Sequence, residues 1–193
     1  DGVRLYFNQS GNSWSQPSVL SVFPRGDNLS SVVPIDLLGN GTACLVWSSP
    51  LPGAAQQPMR YVNLMGNQKP HLLIKAVNNL GAETHIVYAP STRFYLQDKL
   101  DGKPWISRLP FPVHVVERVE TYDHISRSRF VTRYAYHHGC FDGDEREFRG
   151  FGMVEQWDTE EFTVLMADGT ATNLDGAFYV PPILTKTWFH TGA

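Results

Sequence analysis

Tyr134-Ala135-Tyr136-His137-His138-Gly139-Cys140-Phe141-Asp142-Gly143-Asp144-Glu145-Arg146-Glu147-Phe148-Arg149-Gly150-Phe151-Gly152 is two strand-like runs joined at a turn signal. Aromatic residues recur in both runs, and Asp142-Gly143 is the dipeptide that supplies the positive φ angles of a tight hairpin turn. The stretch is therefore expected to be a β-hairpin packed with aromatic side chains. Nothing in it has the makeup of a catalytic loop. A chain organised around such a hairpin is expected to be scaffold, enclosing or binding rather than reacting.

The texture of the hairpin extends along most of the chain. Short alternating or β-branched runs, bounded by Gly, Pro, Asn and Asp, recur, and helix signals are nearly absent, which is the pattern of an all-β protein. Strands are expected over residues 3–8, 19–23, 31–35, 42–47, 60–64, 71–78, 83–88, 113–122, 130–138, 145–156, 163–166 and 183–189. Within 113–122, Val113, Val115, Val119 and Thr121 fall on one face and His114, Arg118, Glu120 and Tyr122 on the other. Val116 and Glu117 break that alternation and predict a bulge. Further Asp-Gly pairs at 101–102, 168–169 and 175–176 read as tight turns or surface links. Before Pro50 the strands are short and the turns rich in Gly, Asn and Ser; Pro50-Leu51-Pro52-Gly53 reads as a break, and later strands are longer and more charged. Two regions of different β architecture are expected.

The chain has 193 residues, 42% hydrophobic and 12% aromatic, enough for a sizeable core. Sixteen basic against 19 acidic residues leave a formal net charge of -3, which supplies no electrostatic footprint for nucleic acid. No apolar run approaches the ~20 residues of a membrane-spanning helix, so no direct membrane insertion is expected. Asp1 is followed at once by the strand-like Val3-Arg4-Leu5-Tyr6-Phe7, so an internal piece of a longer chain is expected. Cys44 and Cys140 are expected to be unpaired thiols, too few for a disulfide framework.

Four patterns invite a chemical reading, and each has a structural one. Asp36-Leu37-Leu38-Gly39-Asn40-Gly41-Thr42-Ala43-Cys44 resembles the calcium loop of FG-GAP-type propeller blades, but Leu38 and Cys44 occupy two ligand positions, so the blade is expected without the metal. His137 and His138 lie close to Cys140 and Asp142, yet neighbouring strand residues point to opposite faces; one packed or bonded and one exposed histidine are expected. Glu145-Arg146-Glu147 matches the Glu-x-Glu of ADP-ribosyltransferases, while Ser91-Thr92-Arg93, in a Pro-led loop, matches that family only in part; a charged hairpin flank of Glu145, Glu147 and Arg149 is expected. Gly150-Phe151-Gly152 lacks the third glycine of a dinucleotide fingerprint and reads as close backbone approach or a bulge. Trp14, Trp47, Trp105, Trp157 and Trp188 are expected to pack in core and seams, as the apolar Arg108-Leu109-Pro110-Phe111-Pro112 linker is expected to be buried. No catalytic, cofactor-binding or metal-ligating residue is assigned, and no cofactor is expected.

The hairpin closely resembles the middle region of the bacterial Tc insecticidal toxin B component, a family related to the Salmonella virulence plasmid B (SpvB) protein and to Rhs/YD-repeat proteins. Residues 36–52, Lys69-Pro70-His71-Leu72-Leu73, Asn78-Asn79-Leu80-Gly81-Ala82-Glu83-Thr84, Leu109-Pro110-Phe111-Pro112-Val113-His114 and Leu184-Thr185-Lys186-Thr187-Trp188-Phe189-His190-Thr191-Gly192 continue the likeness. The resemblance implies an all-β chain: the end of a β-propeller with an FG-GAP-like blade over residues 1–65, then antiparallel sheets of an Rhs-type hollow shell over 66–193. It implies a non-enzymatic segment that helps to enclose a cytotoxic cargo. The implied partners are the C component with its enclosed toxin and, through the propeller, the pore-forming A component. The implied location is extracellular, after assembly in the bacterial cytoplasm. Without the resemblance, two further readings stand: a propeller-like adhesion or carbohydrate-binding module, and behind it an ADP-ribosyltransferase fragment.

Overall fold

The computed structural model describes residues 3–24, 27–66, 68–160 and 175–192. The strand expected over 163–166 and the Asp168-Gly169 turn lie outside them. The chain divides into two compact units, one of Asp1–Leu38 with Thr42–Gln68, the other of Gly39–Gly41 with Lys69–Ala193.

The first unit holds short strands: β1 (Val3–Leu5), β2 (Asn8–Gln9), β3 (Ser13–Trp14), β4 (Ser18–Leu20), β5 (Ser31–Ile35), β6 (Cys44–Ser48) and β7 (Met59–Asn63). β1 pairs with β4, β2 with β3, and β5-β6-β7 form an antiparallel three-stranded sheet. The most apolar run, Cys44-Leu45-Val46-Trp47, takes the central strand, where both edges are paired; Cys44 and Trp47 are buried there, and Phe23 is buried in the same unit. Pro34 sits in β5, an edge strand, the place in a sheet that tolerates a residue without an N–H.

The second unit is built on one antiparallel sheet of six strands, ordered β13-β12-β11-β10-β9-β8. These are β8 (Lys75–Val77), β9 (Ala82–Pro90), β10 (His114–Asp123), β11 (Ser128–Asp142), β12 (Glu147–Trp157) and β13 (Leu184–Trp188). The expected bulge is present: the β9–β10 register shifts between Val116 and Arg118, leaving Glu117 as the extra residue. The shift also corrects the expected faces. Past an extra residue the alternation changes phase, so Val115 belongs with Arg118, Glu120 and Tyr122 rather than with Val119 and Thr121.

The β11–β12 hairpin is the largest feature, but its turn is not a two-residue one. Asp142 is the last residue of β11, and residues 143–146 form the loop. The Asp142 carboxylate accepts hydrogen bonds from the backbone N–H of Asp144 and Glu145, and the left-handed residue is Arg146, with φ 55°. An aspartate that caps its own turn tolerates this longer loop without a left-handed glycine at 143.

The second correction is a helix, α1 (Ser91–Leu100), in the stretch expected to be loop. Its start is tied to the chain just before β10: Ser91 N–H donates to Val113 O, and Ser91 Oγ accepts from Val113 N–H. Its end is a Schellman turn in which Gly102 N–H bonds Lys99 O and Lys103 N–H bonds Asp98 O, with Gly102 at φ 72°. Asp101-Gly102 is therefore a helix stop and not a hairpin turn. Asp175-Gly176 opens a short 3-10 turn, Asp175 accepting from Ala177 N–H.

Aromatic rings pack the base of the hairpin. Phe151 meets Tyr136 at 5.0 Å, Phe148 at 5.5 Å and Trp105 at 6.1 Å between ring centroids. Phe94 of α1 meets Tyr136 at 5.7 Å, and Phe111 meets Phe141 at 5.1 Å. Such pairs contribute about 0.5–1.5 kcal/mol each beyond the area they bury. Burial, with a smaller push from neighbouring Tyr134, drives the Tyr136 phenol up to about 12. Cys140 and Cys44 are both buried and unpaired, as expected.

Candidate functional site

The histidine pair sits where α1 meets the hairpin. His137 Nδ1–H donates to Asp98 Oδ2 at 2.6 Å, and Trp105 Nε1–H donates to the same oxygen at 2.6 Å. His137 Nε2 lies 3.5 Å from Glu155 Oε2 without hydrogen-bond alignment, and Glu155 Oε1 pairs with Lys186 Nζ at 2.7 Å. His138 has φ 58°, and its Nδ1 accepts from Ile106 N–H at 3.3 Å. His137 is thus the bonded histidine of the expected pair, and only the exposed one is corrected: His138 is half-buried as well, and both border the same 300 Å³ cavity. Among the described residues no group of three His, Cys, Asp or Glu side chains is disposed to hold a metal ion. Asp98, the acceptor that joins helix to sheet, was not singled out by the sequence. The signal that points to it is the Gly102 helix stop that follows four residues later.

Glu145 and Glu147 lie at the exposed hairpin tip, where Arg149 pairs with Glu145 at 2.5 Å, Glu147 at 3.3 Å and Asp142 at 3.3 Å. The Glu-x-Glu is a charged flank held around one guanidinium. Ser91, Thr92 and Arg93 form the first turn of α1, and Arg93 pairs with Glu117 at 2.5 Å. Gly150, at φ 92°, lies at the register shift of the hairpin, and a Cβ on Gly152 would stand 3.2 Å from His138 Cβ. Both glycines thus serve a bulge and a close approach. The tryptophans divide: Trp47 is buried beside Arg60, Trp105 packs against Tyr95 and Phe151, and Trp157 lies under Arg133, whereas Trp14 and Trp188 are exposed. The expectation that all five pack is corrected for those two. Residues 107–112 line an open 440 Å³ cleft with Tyr95 and Trp105, and the expected burial of the 108–112 linker is corrected: Arg108, Pro110 and Phe111 are exposed.

The two faces of the six-stranded sheet differ in charge. Side chains alternate along each strand, so the register sorts them. One row runs Val87–Arg118–Arg133–Trp157–Leu184 across five strands, and beside it run Lys75–His85–Glu120–Val131 and Val77–Glu83–Tyr122–Arg129. The same face carries Glu155, Lys186 and His137. Its ions neutralise one another. Glu120 accepts from Tyr122 Oη at 2.6 Å and Arg129 Nη2 at 3.0 Å, and forms an ion pair with Arg118 Nη2 at 2.5 Å. Burial pushes the Glu120 carboxyl up, but Tyr122 and the two guanidinium groups outweigh it and hold it below its usual range. Glu83, hydrogen-bonded by Lys75 and His85, falls to about 2. Glu160, buried near Arg133, is raised, since burial outweighs the guanidinium there.

The opposite face is made of uncharged residues. Its rows are Ala76–Thr84–Thr121–Phe130, Ile86–Val119–Thr132, Tyr134–Gln156–Thr185 and Tyr136–Val154–Thr187. The nearest charges lie at its borders: Asp123 caps the 124–127 turn, and Glu117 is paired with Arg93. Phe130, Gln156, Thr185 and Thr187 on this face are exposed.

A profile of the family described as "Insecticide toxin TcdB middle/N-terminal region" matches residues 21–192. Among solved structures, the chain is similar to "Crystal Structure of TcdB2-TccC3-TEV" at 36% identity and a TM-score of 0.78, over 98% of this chain and 9% of that one. It is similar to TcdB2-TccC3 without its hypervariable C-terminal region at 35% identity and 0.76, over 98% of this chain and 8% of that one. It is also similar to a mutant Photorhabdus luminescens Tc holotoxin pore at 34% identity and 0.76, over 100% of this chain and 9% of that one. The chain thus spans less than a tenth of the length of the solved chains it matches. A search of curated proteins returned no match.

Proposed function

This chain belongs to the insecticide toxin TcdB middle/N-terminal region family, and from that premise we propose that it is a non-enzymatic wall segment of a toxin-complex B component. In this reading residues 66–193 form part of a shell around a cytotoxic cargo supplied by a C component. Residues 1–65 end a propeller through which the B component docks on a pore-forming A component, and the assembled complex acts outside the producing bacterium. The observation that carries the reading is identity of 36% over 98% of the chain with a B component solved in complex with TccC3. The physical makeup agrees: long paired strands and ion pairs closed on one another suit a wall.

Limited proteolysis of the intact B–C assembly tests it. The C component's C-terminal region should resist protease in the assembly and be cut readily in the free C component. Equal cutting in both would overturn enclosure. The enzyme alternative is tested by incubating the intact B component with NAD. No nicotinamide should be released, and Glu147→Ala should change nothing; release that disappears in that variant would establish catalysis.

A further inference from the structure

Resting on that reading, we infer that the uncharged face of the six-stranded sheet is the one that meets the cargo polypeptide, and that the charged face points away from it. The two faces are chemically opposite. In the body of the six-stranded sheet the ion pairs Lys75–Glu83, Arg118–Glu120 and Lys186–Glu155 fall on one face, while the Arg149 cluster lies out at the hairpin tip and Glu117–Arg93 at the border. The other presents Thr, Tyr, Val, Ile, Phe and Gln side chains, part of them open to contact.

The occupant follows from what such a face can and cannot discriminate. Relatives of this chain are solved with TccC3 joined to TEV, and with TccC3 lacking a region described as hypervariable. A wall that meets chains of unrelated sequence must neither repel one sign of charge nor hold the other. A face of paired ions still does both at contact range, because a partner cancels each ion's field only in part over a few ångströms. A neutral face does neither. Its exposed Thr185, Thr187 and Gln156 groups can donate to and accept from the backbone amides that every polypeptide carries, whatever its side chains, while Tyr136 Oη is already given to Val116 O. Exposed Phe130 adds a non-specific apolar contact. The partner is therefore an unfolded polypeptide of arbitrary sequence, not a defined motif.

The test uses the purified intact B–C assembly with p-benzoylphenylalanine placed at single positions. Phe130, 61% exposed on the neutral face, and Trp188, 69% exposed on the charged face, are both aromatic, so the replacement changes little else. Irradiation is expected to join the Phe130 position to the C component's C-terminal region and to leave the Trp188 position free of it. Gln156, exposed on the neutral face, is a second position should the Phe130 variant fail to assemble. Cargo cross-links from Trp188, alone or as strong as those from the neutral face, would overturn the assignment. So would their absence from both neutral positions while the cargo stays protected from protease. Loss of protection itself would instead sink the enclosure reading, and the face assignment with it.

Discussion

Asp98→Ala is the most informative single perturbation, because one buried carboxylate holds α1 to the hairpin. Its Oδ2 accepts from both Trp105 Nε1 and His137 Nδ1 at 2.6 Å, and Asp98 itself is buried. Truncation leaves two half-buried donors without that acceptor, at about 1–3 kcal/mol each, so about 4 kcal/mol in all. Since 1.4 kcal/mol is a factor of ten, local opening of α1 should become roughly 10²–10³ times more frequent. Hydrogen–deuterium exchange on the intact protein reads this directly from the amides of α1. Asp98→Asn keeps one acceptor and should accelerate exchange less. Asp101→Ala, which removes an exposed side-chain bond to Gln97, should change it less than about threefold. His137→Ala added to Asp98→Ala should cost less than the two effects summed, because they share a bond. Unchanged α1 exchange in Asp98→Ala, or an equal effect from Asp101→Ala, would refute the view that this carboxylate joins helix and sheet.

Gly139→Ala should destabilise the hairpin by about 1–3 kcal/mol, since its Cβ would stand 2.7 Å from the Trp105 ring and 2.9 Å from Leu109; a lowered urea midpoint for the change in Trp105 fluorescence checks it. Glu120, whose folded value is depressed by Tyr122, Arg118 and Arg129 against burial, should contribute stability that is present above its unfolded value near 4.5 and lost as pH falls through the folded one. Urea midpoints measured between pH 6 and pH 3, roughly spanning that window, should therefore fall less in Glu120→Gln than in the parent protein. Cys44 and Cys140 should be alkylated only after denaturation, read by peptide mass mapping with iodoacetamide before and after urea; modification of either in the native protein would contradict its burial. Arg149→Ala should loosen the 143–146 turn and leave the α1 amides unchanged, seen as faster exchange confined to the hairpin tip.

Much of the architecture could be read from neighbouring residues. Strand signals are local: β-branched and aromatic runs between Gly, Pro, Asn and Asp placed β5 at 31–35, and placed β7, β10, β12 and β13 to within a residue or two. The bulge was visible because two successive residues, Val116 and Glu117, broke an otherwise regular alternation. The helix was not visible. Its buried face holds Ser91 and Asp98, polar residues satisfied by distant partners, while Leu96 and Leu100 are exposed, so no apolar stripe marks it. The hairpin turn was placed correctly and typed wrongly, because Asp142 bonds the next backbone amides itself.

The sequence by itself determined the β class, the positions of strands such as β5, β7, β10, β12 and β13, the hairpin and the family likeness, since each depends on residues close together in the chain. The tertiary structure alone decided three things. It paired Asp98 with His137, 39 residues away, and so gave the histidine pair a structural partner. It set the phase of β10 across the bulge, which moved Val115 to the face of Arg118 and Glu120. By pairing six strands in register, it gathered scattered charges onto one side and left the other side neutral. Alternation tells which residues of one strand share a face; only register tells which faces of different strands coincide, and the chemistry of a sheet's surface is decided there.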